Sequence, residues 1–97
     1  MKLYVDDLRA PPVGWELAST VDEAIEKLRS GKVTDLSLDY DLGGRDNDNG
    51  LMVLRWLDAA LERGQVGMPN LIVHSGSILG RRRLEAQIEW LRDKHAC

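Results

Sequence analysis

Val33-Thr34-Asp35-Leu36-Ser37-Leu38-Asp39 is a short strand-like run that ends in an acidic residue and stands between two helical patterns. Upstream, Thr20 and Glu23 form a capping box ahead of Val21, Ala24, Ile25 and Leu28, and Gly31 follows as a stop. Downstream, a polar, glycine-containing loop from Tyr40 to Gly50 leads into a helix over 51–63. Its stripe is Val53, Leu54, Leu57, Ala60 and Leu61, with Gly64 just past the end. Further out, Lys2 to Asp6 and Asn70 to His74 are strand-like, and Trp15 to Ala18 is a candidate edge strand. Ser75 to Leu79 reads as a turn, and 81–94 as a final helix through Leu84, Ile88 and Leu91. This alternation predicts an α/β fold with a parallel sheet of about four strands and crossover helices.

The first connection departs from that pattern. A parallel crossover usually needs about a dozen residues or more, and 7–14, with Pro11, Pro12 and Gly14, is shorter and unsuited to a helix. Seven extended residues nevertheless span roughly 23 Å, enough for a helix-less return along a short strand. A hairpin that sets 15–18 antiparallel is the alternative.

The 97 residues are expected to make one domain with a single modest core, 43% of them hydrophobic and 30% charged. Sixteen acidic and thirteen basic side chains leave a net charge of -3, which argues against a general nucleic-acid coat. Cys97 has no partner for an intrachain disulfide. No apolar run approaches the ~18 residues of a membrane span. The expectation is a cytoplasmic chain with no membrane association.

Ligands of open α/β sheets bind beyond the carboxyl ends of the strands, and these strands end in Asp6-Asp7, Asp39-Tyr40-Asp41 and His74-Ser75. A single terminal Asp has a plain explanation, since Asp favours turns. Two acidic strand ends with His-Ser on a third point to a cation, because crowded carboxylates repel one another. Carboxylates and water are the ligands Mg²⁺ takes, commonly with a substrate phosphate. Asp6, Asp7, Asp39 and Asp41 are the carboxylates crowded in this way, with His74 and Ser75 beside them.

Leu-Tyr-Val-Asp6-Asp7 followed by Leu-Ser-Leu-Asp39 resembles the first and third strands of response-regulator receiver domains. There the acidic pair binds magnesium and the strand-end Asp accepts a phosphoryl group. Gly50 and Val73-His74-Ser75 fall where receivers carry a glycine and a strand-end Thr or Ser. The chain is more closely similar to the cyclic-phosphate processing receiver domains, which are compact and lack the first receiver helix. They carry Asp-Asp after the first strand, an Asp-His-Asp-Leu-Gly stretch and a later His-Ser. The resemblance runs from Met1 to about Arg92 and implies a flavodoxin-like sheet acting on a cyclic phosphate, in a small molecule or at an RNA end. It implies Asp6, Asp7 and Asp39 as metal ligands and His74, Asp39, Asp41 and Ser75 as catalytic residues, with His74 expected to protonate a leaving oxygen or orient water.

Two features depart from these patterns. Tyr40 stands where the family has His, and a tyrosine hydroxyl is a poorer proton shuttle at neutral pH. No fifth strand with the receiver lysine follows the last helix, so the countercharge is expected from Arg9, Arg45 or the Arg81-Arg82-Arg83 run, which otherwise reads as a solvated helix face. His95 is expected to be incidental. Asp39, Asp41 and Gly44 match a calcium loop only until Gly50 replaces its final Glu. Asp46 to Asn49 reads as a helix-capping loop. There is no Walker-type loop and no zinc spacing, and His74, Ser75 and Ser77 are too close in sequence for a hydrolase triad.

Strand parity places Leu3, Val5, Leu36, Leu38, Leu71 and Val73 on one apolar face and Lys2, Tyr4, Ser37 and Ile72 on the other. The second, mixed face needs cover from the C-terminal helix or from a second copy, so a homodimer is expected as one solution. Three functions fit the residues: a Mg²⁺-dependent enzyme on a cyclic phosphate, a module that binds a phosphorylated ligand or protein without turnover, or an interaction domain.

Overall fold

Four strands, each of four residues, form one parallel sheet in the computed structural model, which describes residues 1–43 and 49–96. They are β1 (Lys2–Val5), β2 (Trp15–Ala18), β3 (Asp35–Leu38) and β4 (Asn70–Val73), in the order β2-β1-β3-β4. β1 and β2 are parallel, with Lys2 beside Trp15 and Val5 beside Ala18. The proline-containing segment is thus the helix-less return, and the hairpin alternative is excluded.

Helix α1 (Val21–Arg29) begins where the capping box places it, with Glu23 N–H donating to Thr20 Oγ1 at 3.1 Å. The reciprocal bond goes one residue further back than the motif implies, from Ser19 N–H to Glu23 Oε2 at 2.7 Å. Helix α2 (Gly50–Glu62) is capped by Asn49, whose Oδ1 accepts from Leu51 N–H. Of the proposed capping loop, Asp46 to Asp48 lie outside the described residues, as do Gly44 and Arg45.

Helix α3 (Ile78–His95) corrects the expected turn at 75–79, because Ile78 and Leu79 already belong to it. Ser77 is its N-cap, accepting from Gly80 N–H at 3.1 Å. The apolar repeat does not show until Leu84, since the first turn packs through the missing side chain of Gly80. A Cβ there would stand 2.6 Å from Cβ and Cγ of Tyr40. The far end of α3 is tied to α2: His95 Nε2 lies 2.8 Å and Lys94 Nζ 3.0 Å from Asp58 Oδ1, and Lys94 also pairs with Glu62. The hydrogen bond from His95, helped by the Lys94 ammonium, holds Asp58 below the usual carboxylate range against the opposing effect of burial. His95 is therefore a structural fastener.

The face predicted to be apolar is the core. Leu3, Val5, Leu36, Leu38 and Leu71 form one cluster with Val21, Ala24 and Leu28 of α1, Val53, Leu54 and Leu57 of α2, and Leu84, Ile88 and Leu91 of α3. Each fully buried leucine contributes about 1.5–3 kcal/mol. All three helices thus bury their apolar stripes on the same side of the sheet. The C-terminal helix does not wrap round to the opposite face, where Leu17 and Ile72 are exposed and Tyr4 and Trp15 half-buried. No helix among the described residues is long and apolar enough to cross a membrane.

Candidate metal and phosphate site

Register assembles the site. The ladder continues one row beyond the strands: Asp6 N–H donates to Ala18 O, Asp39 N–H to Val5 O and His74 N–H to Leu38 O, at 3.0–3.1 Å. Asp6, Asp39 and His74 therefore end β1, β3 and β4 side by side, at strand spacings of about 4.8 Å.

Carboxylate oxygens of Asp6, Asp7 and Asp39, one from each, lie within 4.8 Å of one another. Burial and then the negative charge of Asp6 push Asp39 above the usual carboxylate range. The N–H of Tyr40, the Ser75 hydroxyl and His74 oppose the rise without cancelling it. For Asp6, which is 1% exposed, burial acts upward, but N–H groups of Arg9 and Leu8 and the contact with His74 outweigh it. Asp6 Oδ1 accepts from Leu8 N–H at 2.8 Å and from Arg9 N–H at 2.9 Å. A buried, ionised Asp6 beside an Asp39 that resists ionisation is the electrostatic signature of a site short of positive charge. The donors are hard oxygens, the set suited to Mg²⁺.

These carboxylates open on a cleft of about 250 Å³ lined by Asp6, Asp7, Arg9, Asp39, Asp41 and Ser75, with Leu8, Gly76 and Ser77 completing it. Asp41 is exposed at the rim, where its Oδ1 accepts from Gly43 N–H at 3.3 Å. Its carboxylate stands apart from the three-oxygen cluster. Among the described residues, Arg9 is the cation that lines the cleft, and its Nη1 donates to His74 O at 3.0 Å.

The arginine run points elsewhere. Arg81 pairs with Glu85 at 2.9 Å, Arg82 is exposed, and Arg83 Nη1 donates to the Tyr40 hydroxyl at 2.9 Å. Tyr40 itself lies against Gly80 and Arg83 and does not line the cleft.

His74 borders the carboxylates but also does not line the cleft. Its ring stacks on Tyr4, with centroids 4.1 Å apart and planes 7° from parallel. Nδ1 lies 2.6 Å from Ser37 Oγ and Nε2 lies 3.1 Å from Asp6 Oδ2. Burial holds His74 below the usual histidine range, against the pull of Asp6 and Asp39, so the ring is neutral near pH 7. Ser37 lies within the Leu-Ser-Leu-Asp39 stretch, but nothing there assigns its side chain a role. Its one signal was a hydroxyl between Leu36 and Leu38.

A family model described as the cyclic-phosphate processing receiver domain matches residues 1–90. No curated protein and no solved structure matches the chain.

Proposed function

This chain belongs to the cyclic-phosphate processing receiver domains, and on that premise we propose that it is a metal-dependent enzyme that opens a cyclic phosphate ester of a nucleotide or an RNA end. The observation that carries the reading is the convergence of Asp6, Asp7 and Asp39 within 4.8 Å. Those three residues would hold Mg²⁺. When bound, the ion neutralises phosphate oxygens and so favours attack on phosphorus.

The remaining residues bind and orient. The Arg9 guanidinium donates to the phosphate, and the Ser75 hydroxyl steadies the Asp39 carboxylate beside it. Ser77 brings the positive end of the 18-residue α3 to the cleft wall. Asp41, exposed at the rim, is placed to exchange protons with the attacking water or the departing sugar oxygen. The 250 Å³ cleft is below the roughly 300–1,000 Å³ of pockets that enclose drug-sized ligands. Only the phosphate end of a nucleotide enters, and the base remains outside.

In the expected assay, a 2′,3′-cyclic nucleotide is opened to a monoester in Mg²⁺, and chelation or Asp7→Asn removes the activity. No product at any Mg²⁺ concentration, with the ligand still bound, selects the second reading, a binding module without turnover. Tyr40 favours that second reading, because the position where the family carries His is packed against α3.

The reading includes a homodimer that covers the open sheet face around Leu17 and Ile72. Twice the chain mass by light scattering is expected, and a monomer throughout the working concentration range counts against it.

A further inference from the structure

Ser37 sits in the middle of β3, registered beside Tyr4 on one side and Ile72 on the other, and is 4% exposed. A buried hydroxyl costs free energy unless it is hydrogen-bonded, and its partner here is His74 Nδ1 at 2.6 Å. The proton assignment follows from Asp6. Its carboxylate already accepts from the N–H groups of Leu8 and Arg9, and in the 3.1 Å contact of Oδ2 with His74 it accepts again, from Nε2–H. In the neutral ring Nδ1 is then an acceptor, and Ser37 donates to it. Neither ring nitrogen is left to serve a substrate, and Tyr4 covers one face of the ring. Despite the Ser-His-Asp order, Ser37 is no nucleophile, because it lies buried beneath the ring and outside the cleft.

We infer that Ser37 and His74 form a positioning relay, Ser37 O–H to Nδ1 and Nε2–H to Asp6 Oδ2, that holds the Asp6 carboxylate ready for the cation. His74 is thus a positioning residue and not the acid or base of the reaction. With Oδ1 fixed by the N–H groups of Leu8 and Arg9 and Oδ2 by His74, Asp6 cannot rotate away in the metal-free protein. The inference rests on the metal reading of the site. Partners of this kind, one bond removed from the ion, typically change affinity about 10–100-fold.

The test combines ¹H–¹⁵N NMR of the imidazole with Mg²⁺ and Mn²⁺ calorimetry on the intact chain. The wild type is expected to show the Nε2–H tautomer without metal. Ser37→Ala is expected to mix the tautomers and weaken metal binding about 10–100-fold, and Ser37→Thr, which keeps the hydroxyl on a strand-compatible side chain, to restore both. Wild-type metal affinity in a folded Ser37→Ala protein overturns the relay while leaving the metal site standing. No metal binding by the wild type overturns both. Should Ser37→Ala fail to fold, the wild-type tautomer and Ser37→Thr still decide: an Nδ1–H tautomer or an imidazolium at pH 7 overturns the relay.

Discussion

Asp39→Asn is expected to weaken Mg²⁺ binding by a hundredfold or more and, in the same protein without metal, to raise the melting temperature. The first effect is electrostatic. A unit charge 4 Å from an ion is worth about 4 kcal/mol per ionic charge at an effective dielectric constant of about 20, so losing one of three carboxylates costs at least two decades. The second effect follows from the direction in which Asp39 titrates. Burial and the Asp6 charge raise its pKa in the folded state, so the folded protein retains the Asp39 proton to higher pH than the unfolded chain does.

Stability then falls as pH rises from the unfolded-state value, about 3.9, through the raised folded-state value. The penalty is complete once pH exceeds that folded-state value. Asparagine removes it while keeping the oxygen that accepts from Tyr40 N–H. Metal-free melting curves at pH 4 and pH 7 check the sign: the advantage of the variant should grow across that interval. A variant that melts no higher than the wild type at pH 7 and still binds Mg²⁺ normally would sink the account of the site.

Gly50→Ala is expected to destabilise the fold and damage the site together. A Cβ at residue 50 would stand 2.6 Å from the carbonyl oxygen of Asp39 and 2.9 Å from Leu84 Cδ2. Leu84 has some freedom to move, but the Asp39 carbonyl is backbone at the end of β3. Gly50 N–H donates to Tyr40 O at 2.8 Å, so the two segments are already at contact distance. Relief requires either α2 or Asp39, and with it the Asp39 carboxylate, to shift.

Alanine's better helix propensity, worth about 1 kcal/mol at most in a helix interior, is smaller than the steric cost. Overpacking of this kind costs about 1–3 kcal/mol, and each kcal/mol lowers the melting temperature of a domain this size by about 4–8 °C. Gly67→Ala is the control, because nothing lies within 4 Å of its Cβ position. Equal melting temperatures for the two variants would show that the close approach is not what residue 50 provides.

Much of the molecule is written locally. Thr20 and Glu23 mark the start of α1 through backbone N–H groups only a few residues away, and the 3.6-residue repeats of α1 and α2 depend on neighbours along the chain. Gly80 shows the limit of such signals. Read locally it is a helix breaker, yet it lies inside α3 because Tyr40, forty residues earlier, packs where its side chain would be. His74 shows the same limit in the site. Its position beside the acidic strand ends was legible, but its contacts with Ser37 and Asp6 through both ring nitrogens were not.

The chain's own order of residues determined that short strands alternate with helices, that one sheet face is apolar, and that carboxylates close β1 and β3. Hydrophobic period and residue type at strand ends are properties of consecutive residues, and they survive without knowledge of the fold. Only tertiary structure decided that β2 runs parallel to β1, that all three helices share one face, that Arg9 lines the cleft while the Arg81–Arg83 run does not, and that His74 faces Asp6. Each of these depends on register between strands or on contacts between segments distant in the chain. Such contacts are set by which packing buries the common core, and no stretch of sequence read by itself contains that comparison.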